Sequence, residues 1–345
     1  MSKSWLVVAS LLAFLFTWMP GKMIIKYLTN LKYSQTILEL GPSWHKEKQG
    51  TPTMGGVMFI GGILMSGILY ITTFYFLMRN AFSSEQFFLI IIRFSIGLIM
   101  AFSYGVIGFV DDYIKVVKKR NLGLTGKQKL FLQFLIAFLY LLFMHLAKQT
   151  CSKQSLTIFD IPFLGVRDFG VFYWIISSIM LVGIVNAVNL TDGIDGLNAS
   201  VTFFSSLFLM VISSIFCATG IDIMSACLAG GCLGFLVFNY HPATVFMGDT
   251  GSLFLGGMIC AITFGMDKPL LLVSSGIVYL IEMFSVMLQV VYFKTTKGKR
   301  LFKMSPIHHH FEMCGWSEGK ICTTFSVISI IGGIISLLIS LFCLV

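Results

Sequence analysis

The most informative segment of the sequence is FFLIIIRFSIGLIMAFSYGVIGFVDDYIK, residues 87–115. Its apolar part is long enough to cross a bilayer, which takes about 20 residues, and it ends on two carboxylates, Asp111 and Asp112. Three further aspartates also stand where long apolar runs begin or end: Asp192, Asp195 and Asp249. Carboxylates at such positions are costly unless they bind a cation or take part in chemistry. The pattern therefore predicts an integral membrane enzyme.

The composition of the whole chain supports this prediction. Of its 345 residues, 57% are hydrophobic and 11% are charged, whereas about 25% of a typical soluble domain is charged. A soluble multi-domain protein is therefore excluded. The net charge of +9 lies mostly in loops between apolar runs, which argues against a nucleic-acid partner. The eight cysteines include no C-x-x-C pair, so we expect them to serve packing.

Ten apolar runs qualify as membrane spans. They cover roughly residues 5–28, 54–77, 87–110, 128–147, 172–189, 198–219, 223–241, 252–266, 270–292 and 323–345. The sequence thus predicts an all-α integral membrane protein with ten transmembrane helices. We expect residues 1–345 to form a single polytopic membrane domain with cytoplasmic catalytic loops.

The basic residues fix the expected orientation. Alternating loops carry 17 Lys and Arg on one side and 6 on the other, and the remaining one, Arg93, lies inside a span. Basic loops stay in the cytoplasm, which places all five aspartates there and both termini outside. The outer loop 155–171 alternates apolar and polar residues and predicts a small hairpin.

The first aspartate pair stands beside lysines. If the helix continues past the apolar run, Asp111 shares a face with Lys115, Lys118 and Lys119, while Asp112 points about 100° away. Carboxylates next to ammonium groups suit a Mg²⁺-bound phosphate. The alternative is a solvated helix end with salt bridges.

Two further segments pair aspartates with glycines. In NAVNLTDGIDGLNAS, residues 186–200, Asp192 and Asp195 stand in a turn and suit hydroxyl or ring N–H donors; the alternative is a capped Asx-turn. In FNYHPATVFMGDTGS, residues 238–252, Asp249 suits Mg²⁺, which often takes one or two protein carboxylates; the alternative is a helix N-cap.

Other ionisable residues are less specific. His308, His309 and His310 would point in different directions on a helix, so hydrogen bonding to phosphate or sugar hydroxyls suits them better than one metal ion. Glu282 and Arg93 fall inside apolar runs, where a functional role and mutual or backbone pairing are both open.

These segments, in this order, resemble the polyprenyl-phosphate N-acetylhexosamine-1-phosphate transferase superfamily. The resemblance covers the whole chain. Its motifs are GTPTMGG (50–56), GFVDDYIK (108–115), LTGKQK (124–129), NAVNLTDGIDGLN (186–198), FNYHPATVFMGDTGSL (238–253) and PIHHHFE with GWSE (306–318). The first and last of these point to the muramoyl-pentapeptide branch. Ile194, Asn198 and Phe254 depart from the usual pattern, but none is a proposed ligand.

The resemblance implies a homodimer of ten-helix chains in the bacterial plasma membrane, with a Mg²⁺-dependent active site facing the cytoplasm. It implies Asp249 as a Mg²⁺ ligand and places Asp111 and Asp112 with it at the catalytic centre. The implied substrate-binding residues are Lys115, Lys119 and Lys127 at the phosphates, Lys48, Asp192, Gly193, Asp195, Asn239, Phe246 and Gln289 around the uridine diphosphate part, and His308, His309 and His310 at the pocket border. Asn189 is a further predicted substrate-binding residue.

The implied reaction transfers phospho-MurNAc-pentapeptide from UDP-MurNAc-pentapeptide to undecaprenyl phosphate. It gives lipid I and UMP, the first membrane step of peptidoglycan synthesis. One alternative is the sister reaction, in which UDP-GlcNAc supplies GlcNAc-1-phosphate to the same lipid. Another is an ion-coupled secondary transporter, which would place its carboxylates at the middle of the bilayer on paired repeats.

Overall fold

A computed structural model of the chain describes residues 4–31, 50–117, 123–152, 155–161 and 165–342. Most of these residues are helical. The helices are α1 (Ser4–Trp18), α2 (Gly21–Asn30), α3 (Gly56–Met78), α4 (Ser84–Val117), α5 (Gly126–Ser152), α6 (Val171–Thr191), α7 (Leu197–Ile215), α8 (Ile221–Asn239), α9 (Gly248–Gly265), α10 (Leu272–Ser275), α11 (Ile277–Thr295), α12 (Ile307–Glu312) and α13 (Glu318–Phe342). Two short strands, β1 (Ile158–Ile161) and β2 (Gly165–Asp168), stand between α5 and α6.

Within the described ranges, nine helical segments are long and apolar enough to cross a membrane, with α1 and α2 together forming one of them. The prediction of an all-α membrane protein is therefore confirmed. These nine segments correspond to nine of the ten predicted spans. The full count of ten, and the direction of the termini, stay predictions.

The remaining predicted span, 252–266, is the eighth in chain order and corresponds to α9. This helix begins with the polar turn GDTGS, and every residue from Thr250 to Gly265 is buried. Because the other helices cover it, α9 does not need the uniformly apolar surface that lipid demands of an outer helix. Its position explains why its composition is less apolar than that of a lipid-facing span.

The crossing of α4 and α9 positions the site. At Gly108 on α4, an added Cβ would lie 2.0 Å from the carbonyl oxygen of Asp249. At Gly257 on α9, an added Cβ would lie 2.7 Å from the Cα of Ala101. Small residues let two membrane helices approach this closely. As a result, the end of α4 that carries Asp111 and Asp112 lies against the first turn of α9.

The opposite end of the bundle carries the hairpin. Strands β1 and β2 pair antiparallel, with Ile158 opposite Asp168, which confirms the predicted hairpin. Lys268 forms an ion pair with Asp160 of β1 and so ties the hairpin to the turn after α9.

Arg93, whose role the sequence leaves open, is paired at this same end. Its guanidinium donates to Asp267 at 2.9 Å, and Lys148 contacts the other oxygen of that carboxylate at 2.7 Å. Arg93 also donates to the backbone carbonyl of Gly265 at 3.3 Å, so the structure supports the backbone-pairing alternative and adds an ion pair with Asp267.

Candidate active site

Asp249 is the centre of the polar cluster at the other end of the bundle. Its Oδ2 accepts hydrogen bonds from Nζ of Lys115 at 3.0 Å and from Nζ of Lys129 at 2.8 Å. Its Oδ1 accepts from Nδ2 of Asn189 at 2.8 Å. Asp249 also stands in the first turn of α9, where the helix dipole favours negative charge. The carboxylate is thus held by three side chains from three other parts of the chain.

Asp111 joins the same cluster from α4. It is only 3% exposed, and its Oδ2 lies 2.7 Å from Nζ of Lys115, the i,i+4 neighbour that the sequence places on its face. Its Oδ1 accepts the backbone N–H of Leu124 at 2.6 Å. Lys115 therefore bridges the carboxylates of Asp111 and Asp249. Two carboxylates and two ammonium groups therefore balance in charge within the cluster.

Asp112 faces differently from Asp111, as predicted, and its acceptors are used by α9. Its Oδ2 accepts the N–H of Thr250 at 2.9 Å and the hydroxyl of Thr250 at 2.7 Å, and its Oδ1 accepts the N–H of Asp249 at 3.3 Å. First-turn N–H groups of a helix have no partner within the helix. Asp112 supplies that partner and fixes the turn that carries Asp249.

The donor chemistry of Asp111 and Asp249 fits a divalent cation. Carboxylate oxygens are the hard ligands that Mg²⁺ prefers. Oδ2 of Asp249 already stabilises two positive charges at hydrogen-bond distance. The residues present therefore fit the ion, provided that an ammonium group gives up its place on this carboxylate.

The turn between α6 and α7 carries Asp192, Gly193 and Asp195. Burial raises the pKa of the Asp192 carboxyl well above its ordinary value, and the charges of Asp249, Asp112 and Asp195 add to the shift. Asp192 is thus close enough to three of the other four aspartates to feel their charge. The predicted turn therefore lies beside the lysine-bound carboxylates.

Asp195 is fastened to two residues that the sequence analysis did not single out. Its Oδ2 lies 3.1 Å from Nδ1 of His241 and accepts the N–H of Ala243 at 2.9 Å. Its own N–H donates to Glu318 at 3.0 Å. The three side chains bring possible metal-ligand atoms within 4.8 Å of one another. Since these groups already serve as hydrogen-bond partners of one another, we interpret the cluster as one that stabilises the turn between α6 and α7. His241 and Glu318 fall inside the quoted motifs, which was the available signal.

The side chains of Asn239 and Gln289 form hydrogen bonds with backbone groups of nearby loops. Asn239 accepts the N–H of Gly196 at 3.2 Å and donates to the carbonyl of Val245 at 2.9 Å. Oε1 of Gln289 accepts the N–H of Phe302 at 2.8 Å. Both residues thus shape loops at this end of the bundle, and their contact with a substrate stays a prediction.

The GTPTMGG segment is bound to the loop before α9. The N–H of Phe246 donates to the carbonyl of Pro52 at 2.9 Å, and the N–H of Gly55 donates back to Phe246 at 2.8 Å. An added Cβ at Gly55 would lie 2.4 Å from Val245. It would also lie 2.9 Å from the carbonyl oxygen of Phe246, so the close approach of the two segments leaves little room for a side chain at position 55. The contact of Phe246 with a substrate stays a prediction.

The three histidines have three separate environments. His308 is fully buried and its Nδ1 lies 3.1 Å from Glu282. Nδ1 of His309 lies 2.5 Å from Glu312, and Nδ1 of His310 accepts the N–H of Lys303. The prediction that the rings point in different directions is confirmed.

The predicted lysines have mixed outcomes. Lys115 lies in the cluster, Lys127 is exposed in the first turn of α5, and Lys48 and Lys119 lie outside the described residues. Lys129, which sequence reasoning missed, contacts Asp249. It stands two residues beyond Lys127 in the same LTGKQK motif, and only the packing of α5 shows which lysine reaches the carboxylate.

Comparison of the sequence with known protein families assigns the chain to a class of transferases. Glycosyl transferase family 4 matches residues 94–266, which include all five aspartates. A signature of phospho-N-acetylmuramoyl-pentapeptide-transferases matches residues 48–60.

Curated relatives with that printed name cover nearly the whole chain. One from Listeria monocytogenes is 44% identical over 99% of this chain and 100% of its own length. One from Bacillus pumilus is 46% identical over 91% of each, and one from Halalkalibacterium halodurans is 43% identical over 94% of each. The chain belongs to the phospho-N-acetylmuramoyl-pentapeptide-transferase family.

Proposed function

We propose that this chain transfers phospho-MurNAc-pentapeptide from UDP-MurNAc-pentapeptide to undecaprenyl phosphate, giving lipid I and UMP. Membership of the phospho-N-acetylmuramoyl-pentapeptide-transferase family supports this type of reaction. The observation that carries the site is the cluster in which Lys115 and Lys129 bind the carboxylates of Asp111 and Asp249. Such a cluster offers cations for phosphate oxygens and carboxylates for a metal ion in one place.

The proposed step forms one phosphorus–oxygen bond and breaks another. An oxygen of undecaprenyl phosphate attacks the phosphorus attached to the sugar, and the bond to UMP breaks, so that UMP leaves. Positioning and charge neutralisation account for most of catalysis in such transfers. Lys115 and Lys129 neutralise the phosphate oxygens when these displace the carboxylates of Asp111 and Asp249.

Asp111 orients or deprotonates the lipid phosphate. A phosphate monoester loses its second proton near pH 6, with a pKa of about 6. Proton removal by a general base is therefore a modest help at neutral pH. The main contribution of Asp111 is to fix Lys115, which it contacts directly.

Asp249 is the proposed Mg²⁺ ligand, and substrate phosphates and water would complete the shell. When bound, the ion would neutralise charge on the diphosphate and on the leaving UMP. We place the site on the cytoplasmic face of a bacterial plasma membrane and expect a homodimer.

The proposal predicts that Asp249→Asn and Asp111→Asn both lose turnover. Each change removes a charge from the centre of the cluster, and loss of one preorganised electrostatic group typically costs about 10²–10³-fold in rate. The measurement is UMP release by purified protein at saturating Mg²⁺. Asp168→Asn is the control, because Asp168 lies on the exposed strand β2 at the other end of the bundle. Near-normal turnover in both site variants would overturn the assignment.

A further inference from the structure

Glu282 and His308 form a buried pair that the proposed reaction does not yet use. Both side chains are fully buried, with 0% exposure. Oε2 of Glu282 on α11 lies 3.1 Å from Nδ1 of His308 on α12. Neither group makes a well-aligned hydrogen bond to any described residue, so their mutual contact is the interaction that remains to each.

The burial of Glu282 needs this partner. A carboxylate that is removed from water costs several kcal/mol unless a cation or a hydrogen-bond donor faces it. His308 is the described residue that presents such a group within ion-pair distance. The pair also joins two elements, because α11 packs against α12.

The other ring nitrogen of His308 faces the turn between α6 and α7. An added Cβ at Gly193 would lie 2.0 Å from Nε2 of His308. The imidazole therefore fills the space that any other residue at position 193 would need. Gly193 follows Asp192 directly, so the ring abuts the turn that carries two of the five aspartates.

We infer that Glu282 is a positioning residue: it holds the imidazole of His308 against the Asp192–Gly193 turn and thereby sets this turn for the nucleotide substrate. This inference rests on the proposed function. Glu282 touches no substrate in this account, and it acts through His308 alone.

The first test is Glu282→Gln, which keeps the size of the side chain and removes its charge. We expect kcat/KM for UDP-MurNAc-pentapeptide to fall roughly 100-fold, the scale of a misplacement of about 1 Å at a site. The KM for undecaprenyl phosphate should not change, because the turn serves the nucleotide substrate. Asp222→Asn is the matched control, since Asp222 is a carboxylate that caps the distant end of α8.

A double-mutant cycle separates this role from a purely structural one. If Glu282 acts through His308, Glu282→Gln should cost nothing further in a protein that already carries His308→Asn. Additive losses, or an equal rise in both KM values, would overturn the inference. If Glu282→Gln does not fold, Glu282→Asp, which keeps the charge on a shorter side chain, takes its place in the cycle and should likewise cost nothing further once His308→Asn is present. A loss from Glu282→Asp that adds fully to that from His308→Asn would also overturn the inference.

The wild-type protein in the same assay tells the two proposals apart. An inactive wild-type protein contradicts the proposed function itself. An active wild-type protein with an unaffected Glu282→Gln variant contradicts this inference only.

Discussion

Asp249 is the residue on which the chemistry of the site converges. Its carboxylate receives two ammonium groups and one amide, and its backbone N–H is held by Asp112. These contacts come from three helices, α4, α5 and α6, so the position of Asp249 depends on the packing of the bundle. The same carboxylate is the place where a metal ion would compete with Lys129.

Lys129→Met tests the lysine that the structure adds to the site. A hydrogen bond to a charged group contributes about 1.5–3 kcal/mol, so we expect kcat/KM to fall about 10- to 100-fold. The measurement is the UMP-release assay. Lys26→Met is the control, because Lys26 is an exposed lysine on α2. An unchanged rate in Lys129→Met would contradict the proposed role of Lys129 in neutralising the phosphate oxygens.

Helical periodicity predicted one of the carboxylate–lysine contacts of the site and missed another. The contact between Asp111 and Lys115 follows from i,i+4 spacing on one helix, and the structure has it at 2.7 Å. The contact between Lys129 and Asp249 joins residues 120 positions apart. No local pattern encodes such a distance, since it depends on how α5 packs beside α4 and α9.

At the scale of elements, the crossing of α4 and α9 carries the site. Asp112 binds the first turn of α9, and Gly108 allows the two backbones to approach. Hydropathy predicted the α4 span but gave a weaker signal for α9. The reason is physical: a helix surrounded by protein is not selected for contact with lipid.

Gly108→Ala tests this crossing. The added Cβ would lie 2.0 Å from the carbonyl oxygen of Asp249, and overpacking typically costs about 1–3 kcal/mol. We expect a lower unfolding temperature in detergent together with reduced turnover. Gly183→Ala is the control, since an added Cβ there meets no atom within 4 Å. Equal effects of the two substitutions would contradict a tight crossing.

At the scale of the whole molecule, the two ends of the bundle differ in chemistry. The aspartates, lysines and histidines of the site gather at one end, and the hairpin with its ion pair to Lys268 lies at the other. A transporter was expected to carry its carboxylates at the middle of the bilayer. The clustering at one end favours the enzyme.

Two natural cysteines report the predicted orientation. Cys217 and Cys314 are free and exposed, and the distribution of basic loops places Cys217 outside and Cys314 in the cytoplasm. In intact cells, a membrane-impermeant maleimide should label a variant that retains only Cys217 and spare one that retains only Cys314. Inverted vesicles should give the opposite pattern. Labelling of Cys314 in intact cells would reverse the orientation and move the site outside.

The proposed reaction is tested by measuring UMP release by the purified protein in detergent with undecaprenyl phosphate and Mg²⁺. One reaction contains UDP-MurNAc-pentapeptide and a parallel reaction contains UDP-GlcNAc. We predict release with the muramoyl substrate alone, and loss of that release when EDTA removes the metal. Release with UDP-GlcNAc instead, or no release with either nucleotide sugar, would contradict the account.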